Sequence, residues 1–229
     1  VQRTLVHGPQ PLLLPLQLVL VVAFAPLVQG AIKASKAGWQ NRRGPGLLQS
    51  WWDITKWLGR ESVVSQHASW VYRWAPPVYL GAMLAAACLV PTLAVTPPLA
   101  HFGDALTVVG LFALARFVLA LAALDTASNF GGMGTAREMM FSALVEPALL
   151  LGLFAVAVPF GTTDFVTLAS GASLDVAHLL AAGCLFIAAI AETGRVPVDN
   201  PDTHLELTMA HEAMVLETSG RDLAAVELG

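Results

Sequence analysis

Five stretches of this chain are apolar almost without interruption: 11–32, 77–95, 105–124, 139–160 and 174–191. Each approaches the roughly 20 residues that cross a hydrocarbon layer about 30 Å thick as a helix. The pattern therefore predicts five membrane spans. The connection after the first span is of a different kind. Segment 47–60, LLQSWWDITKWLGR, repeats with a helical period, with Leu47, Trp51, Ile54 and Leu58 on one face and Gln49, Asp53, Lys56 and Arg60 on the other. Its three tryptophans within seven positions suit the headgroup layer, so a helix lying along the membrane surface is expected there. Beyond the fifth run the apolar pattern gives out, and 192–229 reads as an acidic tail. The expected fold is all-α: a polytopic transmembrane helix bundle of about five spans plus an interfacial amphipathic helix, in a single integral membrane domain over 1–229.

Composition agrees, since 56% of the 229 residues are hydrophobic and 12% charged, against about 25% charged in soluble domains. The bilayer is the expected environment, and nucleic acid is not an expected partner. Basic residues add an orientation. Seven of the twelve lie between the first two runs, at Lys33, Lys36, Arg42, Arg43, Lys56, Arg60 and Arg73. Arg137 follows the third run and Arg195 and Arg221 follow the fifth, whereas 96–104 and 161–173 hold no Lys or Arg. Positive-inside alternation then puts the N-terminus outside and the acidic tail in the cytoplasm, the membrane being the cell's inner one. A secretory signal is the competing reading of the first run, with Arg3 and small residues near Ala23 and Ala25. Cleavage would leave the most basic loop outside, and the run is long for a signal.

The chain offers little to a metal. Its two cysteines, Cys88 and Cys184, fall inside apolar runs, where a small buried hydrophobe is the expected role, and an iron–sulfur cluster wants four thiolates. His204 and His211 are seven apart, but HEAMV lacks the second His of a zinc-protease motif. No metal site and no cofactor are expected in this chain.

Charges inside the spans are the more informative chemistry. Arg116 stands about halfway along the third run, and Glu146 lies in the fourth, directly before Pro147. Either would be costly facing lipid, so both should face the interior as a polar line, with Asp125 and Glu192 nearer the cytoplasmic side. A static ion pair that fixes helix register and a hydrated proton or ion path are the two readings of that line. Gly131, Gly132 and Gly134 read as a close-packed cytoplasmic loop, since no strand precedes them as a dinucleotide fold needs. Arg42, Arg43, Gly44 and Pro45 form a tight turn whose guanidinium forks suit carboxylates.

Three segments together, QNRRGPGLLQSWWDITKWL, GGMGTAREMMFSALVEPALL and AETGRVPVDNPDTHLELTMAHEAMVLETSGRDLA, resemble the membrane-anchor subunit of group 4 membrane-bound [NiFe] hydrogenases and formate hydrogenlyase. That subunit is homologous to subunit 1, the H-type subunit, of respiratory complex I. The resemblance implies a non-redox helical subunit that anchors a cytoplasmic redox module and couples its electron transfer to proton or sodium translocation. It also implies partners: hydrogenase large and small (iron–sulfur) subunits, which would hold the [NiFe] centre and iron–sulfur clusters, and antiporter-like membrane subunits.

By the same resemblance, Glu192, Arg195, Pro197, Asp199, Glu206, Glu212 and Glu217 match the charged motif after the fifth core helix. Arg42 to Pro45 match the turn before the lateral helix, and Glu146 the acid of the EPALL segment. Glu192, Glu146, Arg116, Asp125, Glu206, Glu212 and Glu217 are thus the expected relay, with Arg42, Arg43, Gly44, Pro45, Arg195, Pro197, Asp199 and Asp202 at the docking junction. The turn is shorter than the double Gly-Pro pattern of the quinone-reducing branch, which argues against quinone as a ligand. A quinone-reducing complex I subunit and a structural anchor or ion carrier without redox coupling remain the alternatives. Family members generally carry about three more spans after this tail, so a shortened or alternatively started product is expected.

Overall fold

The computed structural model describes residues 10–90, 92, 104–171, 176–193 and 209–229. Among these, the chain is helical, with one isolated bridge between Asp104 and Asp164 in place of any sheet. In order come α1 (Gln10–Trp39), α2 (Gln49–Leu58), α3 (Trp70–Leu89), α4 (Ala105–Asp125) and α5 (Asn129–Ala157). A short 3₁₀ turn (Val158–Phe160), α6 (Phe165–Gly171), α7 (Val176–Glu192), α8 (Ala210–Val215) and α9 (Gly220–Leu228) follow. Among the described residues, three stretches are long and apolar enough to cross a membrane: Leu13–Trp39, Ala105–Asp125 and Asn129–Phe160. His178–Ala191 forms a shorter apolar helix. The molecule is an integral membrane protein with an all-α bundle fold.

Where the second span is expected at 77–95, the helix runs instead over Trp70–Leu89 and is not among the three stretches apolar enough to cross. Ser69 caps α3, its Oγ accepting from the Val71 N–H, and the Asp125 carboxylate takes the Ser69 and Tyr72 N–H groups, so the helix starts well before its prolines. Pro76 and Pro77 sit inside it. Val90 is extended, as the residue before a proline prefers, and ends it. Across the bundle Gln17 of α1, itself buried, donates through Nε2 to the Ala87 and Val90 carbonyls at 2.6 and 2.9 Å, satisfying groups that a helix end leaves open.

The expected loop at Gly131, Gly132 and Gly134 is the first part of α5 instead. Glycine reads as a breaker, but here it lets backbones approach. A Cβ at Gly131 would lie 2.6 Å from the Ala123 carbonyl of α4, and one at Gly134 would lie 2.8 Å from Ala213 Cβ and 2.9 Å from the Ala210 carbonyl of α8.

The lateral helix contracts from 47–60 to 49–58, and its buried face centres on Ser50 and Ile54 while Leu47 and Leu58 are exposed. Trp51 reaches across to α1, donating through Nε1 to the Ala23 carbonyl at 3.2 Å. Of the two cysteines Cys88 is buried, but Cys184 is exposed rather than buried as expected.

The described part of the expected tail, 209–229, is folded into the bundle. Met214 and Val226 join Tyr79, Ala82, Ala115 and Leu119 in the largest buried cluster, and Gly229 lies against Tyr79 of α3. The acids of this stretch mask its apolar face in sequence, because α8 and α9 bury Ala210, Ala213 and Ala224 at helical spacing while Glu212 and Glu227 point outward.

These contacts sort the helix ends. One end gathers α2, the start of α3, the end of α4, the start of α5, and α8, linked by Asp125 to α3, Gly134 to α8 and Ser62 to α9. The opposite end gathers the starts of α4 and α6, where the Ala105 N–H donates to the Thr163 carbonyl at 3.0 Å.

Candidate functional site

Arg116 and Glu146 are delivered to one another by the two helices that pack side by side through the middle of the bundle, α4 and α5. Arg116 is the twelfth residue of α4 and Glu146 the eighteenth of α5, so both are far from a helix end. Arg116 Nη2 donates to Glu146 Oε1 at 2.8 Å, the short separation of a charge-assisted bond. The two side chains are unequally covered, the arginine 13% exposed and the glutamate 37%. Beside them is a cavity of about 480 Å³, walled by Met139, Ser142 and Ala143 of α5 and by Ala113, Leu114 and Phe117 of α4.

Ser142 is a member of this site that sequence reasoning missed. It stands one turn before Glu146 on the same helix face, and its buried Oγ has no hydrogen-bond partner among the described residues. Thr135, seven residues earlier on that face, has a buried Oγ1 in the same condition. The i, i+7, i+11 spacing of Thr135, Ser142 and Glu146 is the signal that could have found them. Chemically, the arrangement can hold a carboxylate against a guanidinium, with the Ser142 hydroxyl in the same cavity able to give or accept a proton, while Thr135 lies about 16 Å further along the helix.

Asp125, Glu212 and Glu217 lie elsewhere. Asp125 is nine residues beyond Arg116, about 14 Å along a helix axis. Its Oδ2 accepts from the Ser69 N–H at 2.7 Å and the Tyr72 N–H at 3.2 Å, so its hydrogen bonds serve the start of α3. Glu192 closes α7. Glu212 is exposed in the first turn of α8, and Glu217 is exposed just after that helix, where its backbone carbonyl accepts from Tyr72 Oη at 2.9 Å. Arg195, Pro197, Asp199, Asp202 and Glu206 fall outside the described residues.

The junction turn is built by the chain doubling back along α1. The Arg42 N–H donates to the Ala37 carbonyl at 2.9 Å, with Asn41 left-handed at φ 57°. Gly44 is pressed onto Ala34 and Ala37, and Gly30 lets the Leu47 carbonyl approach, so a side chain at either position would push the strap off the helix. Pro45 follows between two glycines. Arg42 and Arg43 are left exposed at the tip, Arg42 also donating to the Gln40 side chain. The structure thus brings Arg116 and Glu146 together and leaves the Arg42–Arg43 turn as a separate surface.

Comparison with known proteins covers nearly the whole chain. Residues 12–229 match the family model described as NADH dehydrogenase. Formate hydrogenlyase subunit 4 of Escherichia coli is 38% identical over 219 residues, covering 93% of this chain and 70% of that protein. Hydrogenase-4 component C of the same organism is 34% identical, covering 100% of this chain and 73% of its own length. Among solved structures, a chain of the membrane-bound sulfane sulfur reductase, an archaeal respiratory membrane complex, superposes with a TM-score of 0.77 at 22% identity, covering 94% of this chain and 73% of that one.

Proposed function

The chain belongs to the NADH dehydrogenase family, and from that premise we propose that it is the membrane subunit of a complex I-like membrane-bound hydrogenase. It anchors a cytoplasmic redox module and couples electron transfer there to the movement of protons or sodium ions. The observation that carries this reading is the Arg116–Glu146 pair, a charged couple held between two apolar helices in a chain that aligns along 93% of its length with formate hydrogenlyase subunit 4.

A purely structural anchor could use such a pair only to fix helix register, because apolar side chains of the same volume hold two helices together at least as well. A transporting subunit does need one. A carboxylate left without a counter-charge in an apolar setting takes up a proton, and the same carboxylate beside a guanidinium gives it up. In this reading a small rearrangement of α4 against α5, driven from the redox module, parts Arg116 from Glu146 and is the coupling step. Ser142, one turn before Glu146 in the same cavity, is the neighbouring hydroxyl on that path. Glu192, Glu206, Glu212 and Glu217 are the further relay acids that the family resemblance implies.

In this reading the end rich in Lys and Arg faces the cytoplasm, the protein is a multi-pass component of the inner membrane, and the exposed Arg42 and Arg43 meet the soluble subunits. The [NiFe] centre and the iron–sulfur clusters belong to those hydrogenase large and small subunits, and antiporter-like subunits adjoin the bundle in the membrane. The chain's own two thiols suit no cluster, Cys88 being buried on α3 and Cys184 exposed on α7.

The test is purification through a tag on this chain in mild detergent, with metal analysis of what accompanies it. Nickel and iron in fixed ratio to the chain are expected. Co-purification of a soluble module without nickel contradicts the hydrogenase reading, and recovery of the chain with no redox subunit at all contradicts any role in redox coupling.

A further inference from the structure

A second cavity, of about 340 Å³, lies at the end of the bundle opposite the Asp104–Asp164 bridge, away from the ion pair. Its walls come from three places: Glu61, Ser62 and Val64 in the strap after α2, Arg73 in the first turn of α3, and Arg221 and Asp222 in the first turn of α9. The walls are tied together. The Asp222 N–H donates to Ser62 Oγ at 3.2 Å, the Val63 N–H donates to Ser219 Oγ at 2.9 Å, and Gly220 uses φ 56° to fit against the Glu61 carbonyl. Arg73, Arg221, Glu61 and Asp222 form no ion pair among the described residues. Two cations and two anions thus line one small cavity with their charges unspent on each other.

The depth of the cavity follows from α3. Trp70, Arg73, Trp74, Pro77, Val78 and Gly81 recur at helical spacing and are all exposed, forming one open stripe. At its top Trp70 and Trp74 are 73% and 63% exposed, as aromatic residues at a headgroup layer are. Below them the stripe is apolar, and a Cβ at Gly81 would touch nothing within 4 Å. A molecule with a charged head in the cavity and hydrocarbon along Val78 and Gly81 fits this surface from end to end.

We propose that this is a phospholipid site that selects an ethanolamine headgroup, Arg73 and Arg221 holding the phosphate and Glu61 and Asp222 the primary ammonium. The selection follows from the cavity having both signs. Guanidinium groups bind phosphate oxygens through paired N–H donors. A glycerol headgroup brings the phosphate but leaves the two carboxylates facing no cation, and choline brings a cation with no N–H to donate to them. Ethanolamine satisfies both halves. The proposal stands apart from the hydrogenase reading, because it asks nothing of the redox partner.

The experiment is native mass spectrometry of the protein, in the complex in which it purifies, after delipidation and addition of dioleoyl phosphatidylethanolamine, phosphatidylcholine or phosphatidylglycerol. One ethanolamine lipid should be retained about tenfold better than either of the others, the discrimination expected of a charge-assisted hydrogen bond or two. Glu61→Gln with Asp222→Asn should retain ethanolamine and choline lipids alike, and Arg73→Gln with Arg221→Gln should retain none of the three. Equal retention of all three by the native protein, a preference for phosphatidylglycerol, or an ethanolamine preference that survives both double substitutions overturns the site. Should a variant fail to assemble, the native chain decides. A photoactivatable ethanolamine lipid should crosslink within residues 61–74 or 220–228 and be competed by unlabelled ethanolamine lipid but not by choline lipid, and crosslinks confined to other segments overturn the proposal.

Discussion

Arg116 and Glu146, 30 residues apart in sequence and on different helices, meet at 2.8 Å between α4 and α5. Removing one partner of a fully buried pair costs about 3–5 kcal/mol, because the other charge is stranded. The cost here is smaller, since the Glu146 side chain is 37% exposed. Arg116→Met should lower the thermal midpoint in detergent, and Arg116→Met combined with Glu146→Leu should recover most of the loss. A double variant no more stable than the single one would mean that the two side chains are not energetically coupled.

Glycines at the start of α5 give a paired prediction. Gly134 is closed in by Ala213 Cβ and the Ala210 backbone of α8, whereas a Cβ at Gly132 meets nothing within 4 Å. Gly134→Leu should cost about 1–3 kcal/mol, typical of overpacking, and should speed hydrogen exchange in 209–216. Gly132→Ala should stabilise by about 0.5–1 kcal/mol through helix propensity alone. Similar exchange in both variants would mean that α8 does not rest on Gly134.

Asp125 offers a contrast with the membrane acid, because its hydrogen bonds go to the first turn of α3. Asp125→Ala should cost about 0.5–2 kcal/mol, the usual value of a lost cap, and should raise exchange at 69–73. Asp125→Asn keeps a carbonyl acceptor and should leave redox-driven ion movement near the native level. Loss of ion movement in Asp125→Asn with α3 still protected would return Asp125 to the proton path.

How much of this was legible in the sequence depends on what each residue type signals. Arg116 and Glu146 announce themselves, because a charge in an apolar run must find a partner. The apolar run at 105–124 was readable within about a residue, as α4 over Ala105–Asp125, apolarity being the signal of a span. Gly131 and Gly134 misled, since close packing and a chain break look alike in one sequence. The tail misled because its acids outnumber the small residues that α8 and α9 bury. Gln17, Ser142 and Thr135 gave no signal by residue type alone, and their importance comes from the helix that folding sets opposite them.

Orientation is checked by accessibility. A cysteine introduced at Ser65, between α2 and α3, should react with membrane-impermeant maleimide only in inverted vesicles. Labelling from outside intact cells would contradict the cytoplasmic assignment of the basic end. At that same end, Arg42→Glu with Arg43→Glu should release the soluble subunits from the membrane at physiological salt. Their full retention would separate this turn from docking.

Coupling through Glu146 is tested most directly in proteoliposomes containing the intact complex, by the ratio of ions moved to electrons transferred. Glu146→Gln removes the titratable proton while keeping size and hydrogen-bonding capacity. Artificial-acceptor hydrogen oxidation per assembled complex should stay near native while the ion-to-electron ratio falls at least severalfold. An unchanged ratio in the surviving complex, whatever its yield, would contradict the relay and leave the Arg116–Glu146 pair a structural tie between two helices.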